Sequence, residues 1–339
     1  MTSVSPRQFA IFRALLGFYL AVHFAALVPY GAELFSNRGV LADARLNLTY
    51  GILPNILEHY DSPAFVTVFL VAMSIFAVAF AFGFQRRFIA LLLWYGWACL
   101  FDRNNLINNP SIPYIGLILL LTLLVPTGEA RTYMRNQRWK FPKMVYWTAW
   151  ILTAAGYSFS GWMKLRSPSW IDGSALYHVL NNPLARPGLV RDFLLALPAS
   201  CLRTLTWASL GAELLCLPLS VTGRGRSIAW SILVAMNLGI VFTINFADLT
   251  MGMLLLHLFT FDPSWIGKGD NLTRLQLRIT RAMEMLPFLC LSLDGATVVR
   301  LGLAAADHDQ QDPADQADSA YDRRKTDPVT FGVLDFNRP

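Results

Sequence analysis

Residues 65–84 read FVTVFLVAMSIFAVAFAFGF, a run with no charge and no polar face. A helix that is apolar all round is not a surface helix of a soluble domain. About 20 apolar residues are what the hydrocarbon core of a bilayer requires. Runs at 112–127 and 228–244 repeat the pattern. They hold the charged residues of the whole chain down to 15%, against about 25% in soluble domains. Eight candidate spans follow: 8–30, 64–85, 87–102, 111–127, 143–165, 204–221, 226–245 and 248–262. The third and eighth are short, so the range is seven to nine. The expected fold is an all-α polytopic membrane protein, a bundle of about eight transmembrane helices. The first run is too long for the apolar core of a signal peptide and is expected to stay as an uncleaved span. Two connections, 47–60 and 190–202, are amphipathic enough to form short surface or re-entrant helices in the outer loops.

A net charge of +6 in a soluble chain would point to nucleic acid. Here the basic residues gather at the ends of apolar runs, so the charge reads as topology and no nucleic-acid partner is expected. With the N-terminus inside, fourteen Lys and Arg fall in inside segments, among them Arg86, Arg87, Arg131, Arg135, Arg138, Lys140 and Lys143. Seven fall outside. The expectation is an integral inner or plasma membrane protein with a cytoplasmic N-terminus. Residues 1–267 form the transmembrane domain. Residues 268–303 are partly amphipathic, and 304–339 are a polar tail with eight aspartates between Asp307 and Asp335, expected to be disordered. Cys99, Cys201, Cys216 and Cys290 make no C-x-x-C and no metal-ligand spacing, so no metal is expected.

Polar groups at membrane depth are costly and normally face the bundle interior. Arg13 lies ~8 Å into the first span at 1.5 Å per residue, and it either snorkels or faces inward. Glu213 sits mid-run in LGAELLCLPL. A carboxylate there is protonated or paired, and Arg13 is the partner to test. Asn104, Asn105, Asn108 and Asn109 crowd FDRNNLINNPSIPYIG, where the plain reading is an Asn/Pro turn. Asn237, Asn245 and Asp248 lie in or between spans seven and eight and can hydrogen-bond across helices. His23 and His257 read as core or interhelical residues.

Lys164 ends the fifth run in SGWMKLRSPSWIDG. As an interfacial lysine it can serve as an anchor. The small residues Ser158, Ser160 and Gly161 before it allow close approach. The turn from Pro168 to Gly173 can fold Trp170 back over the amine. An amine desolvated between aromatic walls becomes a base near neutral pH.

Four stretches together resemble the membrane domain of the vitamin K-dependent gamma-glutamyl carboxylases and their wider family, the horizontally transferred transmembrane (HTTM) proteins. They are FAIFRALLGF, NNPSIPY, SGWMKLRSPSWIDG and NFADLTMGM with FDPSW, in the family's order over residues 8–265. The resemblance implies that Lys164 is the base that deprotonates reduced vitamin K, a naphthoquinol. Oxygen then adds, and the quinone leaves as its epoxide while carbon dioxide captures a peptide glutamate carbanion. It also matches Trp170 and Gly173 to the family's W-x-x-G, and Asn108, Asn109 and Asn245 to family amides. Pro110 and Phe242 stand where the carboxylases have histidines, and only about 70 residues follow the bundle.

The implied function is a carboxylase-like membrane enzyme that epoxidises a naphthoquinol. Lys164 is its catalytic base, with Trp170, Gly173, Asn108, Asn109, Asn245, Asp248, Glu213 and Arg13 binding or supporting. Its expected partners are membrane lipid and a peptide or secreted protein, with the site toward the outer face. The alternative is a non-enzymatic HTTM protein for maturation, export or immunity of a secreted peptide. A transporter is disfavoured, since no inverted repeat is evident.

Overall fold

In a computed structural model, the described residues are 4–47, 49–129, 139–245 and 247–266. Arg131, Arg135 and Arg138, the segment 268–303 and the tail 304–339 lie outside them. Within the described residues the chain is all helical apart from turns and one isolated bridge, Ala185 to Ile244. The N-terminal half holds α1 (Pro6–Leu27), α2 (Gly31–Phe35), α3 (Ile56–His59), α4 (Pro63–Phe82), α5 (Arg86–Arg103) and α6 (Ser111–Leu124). Next come α7 (Lys143–Lys164), α8 (Pro168–Ile171), α9 (Ala175–Leu180) and α10 (Leu189–Ala196). The last are α11 (Ala199–Leu214), α12 (Cys216–Leu219), α13 (Gly223–Thr243) and α14 (Ala247–Thr260).

Seven of the eight apolar runs each fall on one main helix, and the run 204–221 is split between α11 and α12. Three helical stretches are long and apolar enough to cross a membrane: Pro6–Phe35, Pro63–Phe82 and Gly223–Thr243. The pair α10 and α11 passes the same test together but bends by 112°, which makes it a broken span or a re-entrant loop. Helix α6 and the stretch Leu249–Thr260 are apolar but shorter. The outward faces carry Val68, Ile75, Phe82, Phe88, Ile151, Phe159, Ile228 and Phe242, all exposed. Apolar surface so extensive needs a non-aqueous neighbour.

Local sequence explains the helix ends. Ser5 and Ser62 cap α1 and α4 by accepting bonds from Gln8 N and Phe65 N, and Pro6 and Pro63 follow at the first helical position. Proline is preorganised there because that N–H has no helical partner. Helix α4 stops at Gly83, which is left-handed at φ 79°. α1 packs along α4, α5 on α4 and α6, and α14 closes against α6, α13 and α7.

Two buried polar assemblies fix this arrangement. Arg13 of α1 reaches Glu129 at 3.1 Å, and Arg86 at the start of α5 reaches the same carboxylate oxygen at 3.2 Å. All three residues are buried. Arg86 also donates to the carbonyls of Thr122, Val125 (2.7 Å) and Pro126 (3.0 Å). It thereby satisfies acceptors that the end of α6 leaves open. A Cβ on Gly83 would lie 1.6 Å from Arg13 Nη1, so the missing side chain is what lets the guanidinium through. In the second assembly, Arg103 donates to Leu41 O (2.8 Å) and Ser36 O (3.3 Å), while Asn104 donates to Leu34 O (2.8 Å). Asn55 binds Cys99 O and Asp102 Oδ2, both at 2.9 Å. The connection between α2 and α4 is thus sewn to the end of α5.

Removing Glu129 strands two buried guanidiniums, and breaking a buried pair costs about 3–5 kcal/mol. Glu129→Gln is expected to lower the thermal unfolding midpoint of detergent-solubilised protein markedly. Substitution of the exposed Asp192 should leave it unchanged.

Candidate functional site

Helix α7 buries one stripe, Tyr146, Trp150, Thr153, Tyr157 and Gly161, at spacings of three and four. Such spacing puts side chains on one helix face. Lys164 is the next residue on that stripe and the last of the helix. At Gly161 the backbone of α11 comes so close that a Cβ would lie 2.9 Å from Leu214 N and 3.1 Å from Glu213 Cβ. One turn earlier, Ser158 Oγ donates to the carbonyls of Glu213 (3.1 Å) and Leu214 (3.2 Å) and accepts from Leu217 N (3.0 Å). This hydroxyl occupies the break between α11 and α12 and sets Glu213 against the end of α7.

The result is an ion pair, with Lys164 Nζ 2.5 Å from Glu213 Oε1. The Glu213 side chain is 5% exposed and that of Lys164 25%. The lysine therefore opens toward the surroundings and the carboxylate closes the site from within. Glu213 Oε2 is buried and has no hydrogen-bond partner among the described residues. The turn of α8 brings the Trp170 ring to 4.3 Å from Nζ, as the spacing anticipates. A ring face at that distance favours the cationic amine. Trp207 Nε1 holds the turn by donating to Ile171 O at 3.1 Å.

Gly173 ends the turn at φ 81°, with Arg203 Cβ 2.9 Å from where its own Cβ would be. Beside it, Asp172 accepts from Ser174 N at 2.8 Å. Hydrogen bonds from Ser174 hold the Asp172 carboxyl below the usual carboxylate range, so this exposed acid stays ionised at neutral pH.

Other predicted residues lie in different surroundings. Arg13 does not pair with Glu213, because packing of α1 against α4 and α5 delivers it to Glu129, and Lys164 takes Glu213 instead. Asn109 Oδ1 accepts from Ser111 N (2.9 Å) and Ser111 Oγ (2.6 Å) and so shapes the start of α6, while Asn108 is exposed. Asn245 Oδ1 accepts from Arg186 Nε at 2.9 Å, and its N–H donates to Leu184 O at 2.8 Å. Those bonds tie the loop after α9 to the turn after α13. The side chain of Asp248 lies outside the described residues. Pro110 precedes α6, and Phe242 is 52% exposed on α13. Among the described residues no group of His, Cys, Asp and Glu is clustered to hold a metal ion.

Sequence reading missed Glu129 and Tyr157. Glu129 had a visible signal, as a single acid at the end of an apolar run beside five basic residues. Tyr157 had one in its seven-residue spacing from Lys164. Its hydroxyl lies 2.9 Å from His257 Nε2, and Asn237 Nδ2 donates to it at 2.9 Å. The other Asn237 N–H goes to Leu233 O, a group that can only accept, which fixes the amide's orientation. The phenol proton therefore points at His257 Nε2, and the imidazole carries its hydrogen on Nδ1.

Gly173→Ala is expected to destabilise the protein by about 1–2 kcal/mol, the cost of a left-handed non-glycine residue, read as a fall in unfolding midpoint. Gly128, also at positive φ but with open space around it, is the comparison that isolates the clash with Arg203. Searches against protein-family models, curated proteins and solved structures find no match to this chain.

Proposed function

We propose that the protein is a multi-pass membrane enzyme of the HTTM type that oxidises a reduced naphthoquinone to its epoxide, with Lys164 as the base. The observation that carries the proposal is the Lys164 amine, held between the buried Glu213 carboxylate and the Trp170 ring at the end of a helix. Anchoring at an interface needs neither an internal acid nor a ring across the amine. The residues suit such a substrate, because the Lys164 side chain is 25% exposed and open to an incoming hydroxyl and Trp170 offers a flat apolar wall. The substrate's own chemistry, once it is deprotonated, would be its reaction with molecular oxygen. The chain supplies a base, a ring that favours the resulting ammonium, and a carboxylate that fixes the amine. Arg13, Asn109 and Asn245 are bonded elsewhere, to Glu129, Ser111 and Arg186, and Gly173 serves by shaping the turn.

The same reading has about eight transmembrane helices, the N-terminus inside and Lys164 near the outer face. Cys201 is exposed, while Cys99 and Cys216 are buried. In a Cys290→Ser background, a membrane-impermeant maleimide is expected to label Cys201 in intact cells. Labelling only after permeabilisation reverses the topology.

The activity test is epoxide formation by protein in lipid nanodiscs given reduced vitamin K, bicarbonate, oxygen and a glutamate-rich peptide. Wild type is expected to form epoxide and Lys164→Ala to lose it by roughly 100-fold or more, the usual contribution of a positioned base. Labelled carbonate in the peptide distinguishes carboxylation from epoxidation alone. A second reading, a non-enzymatic factor for a secreted peptide, is favoured by one observation: Phe242, at a family histidine position, faces outward at 52% exposure. Equal absence of epoxide from folded wild type and variant selects it.

A further inference from the structure

A lysine that removes a proton must first be without one, and the Lys164 amine is bonded to a carboxylate. Its partner is a glutamate whose side chain is 5% exposed. The Nζ to Oε1 separation is 2.5 Å. Oε1 is engaged by the amine, and Oε2 meets no donor among the described residues. Arg13 is committed to Glu129, and no second cation is bonded to Glu213 among the described residues.

From this geometry we infer that Glu213 is the proton-holding residue of the site, an inference that rests on Lys164 being its base. The proton shared by the pair moves from Nζ to Oε1, which leaves a neutral amine beside a carboxylic acid. The amine then takes the hydroxyl proton of the substrate. In sum, one O–H bond breaks in the substrate and one forms on Glu213, and the lysine ends as an ammonium over the Trp170 ring. No oxidant enters this half-step, so it runs without oxygen. Two features of the fold prepare it. Gly161 lets α11 approach close enough for a carboxylate to reach the end of α7. Ser158 locks the α11–α12 break so that the acid cannot swing away.

The test is infrared difference spectroscopy on protein in nanodiscs when reduced vitamin K is added under anaerobic conditions. Wild type is expected to gain the carbonyl stretch of a protonated carboxylic acid. Glu213→Gln and Lys164→Ala should both lack it. Glu213→Asp, which keeps the acid should Glu213→Gln fail to fold, should show a displaced band. In the aerobic assay, Glu213→Gln is expected to lose about 100-fold in epoxide formation. Epoxide formed by wild type without any carboxylic acid band overturns the role of Glu213 while leaving Lys164 as base. The same holds if Glu213→Gln retains the band or the rate. If wild type forms no epoxide, the enzymatic reading falls, and this inference with it.

Discussion

Three charged residues hold the first half of the bundle in register. Arg13, Arg86 and Glu129 come from α1, from the start of α5 and from beyond α6, and they meet on a single carboxylate oxygen. A charge buried alone is among the most expensive objects a fold can contain. Two guanidiniums on one acid are tolerable only because Arg86 spends its remaining donors on the carbonyls ending α6. Helix packing in a membrane gains little from hydrophobic exclusion, since lipid is as apolar as leucine. Directional polar contacts therefore decide which helices adjoin, and this node decides it for α1, α5 and α6.

The second half of the bundle follows the same principle with different chemistry. Helix α7 is its spine, and neighbouring positions on it engage different partners: Tyr157 meets α13 and α14, Ser158 the α11–α12 break, and Lys164 the acid of α11. The candidate site is thus a by-product of packing geometry. The contacts that tell α11 where to lie also aim its one carboxylate at the one amine.

Much of this was legible in the sequence. Runs without charge marked the helices, and Ser-Pro pairs marked two of their starts. The turn between Lys164 and Trp170 allowed the ring to fold over the amine, and the structure has it there. Helical interhelical partners for Asn237 and His257 were foreseeable from their type and depth. The partnerships were not. Arg13 and Glu129 are 116 residues apart, and Lys164 and Glu213 are 49 apart. Which cation takes which acid depends on how helices rotate about their axes, and a few tens of degrees exchange one face for another. With Arg13, Arg86 and Lys164 as cations for Glu129 and Glu213, charge alone allowed the wrong pair.

The amide of Asn237 has one further consequence. It gives the hydrogen-bonded chain through Tyr157 to His257 a single sense, and an amide has no proton to pass on. The chain is therefore a cul-de-sac: a proton leaving the phenol for the imidazole finds no replacement behind it. What remains for this buried trio is mechanical. It works as a key in a keyway, setting the rotation of three helices about their long axes.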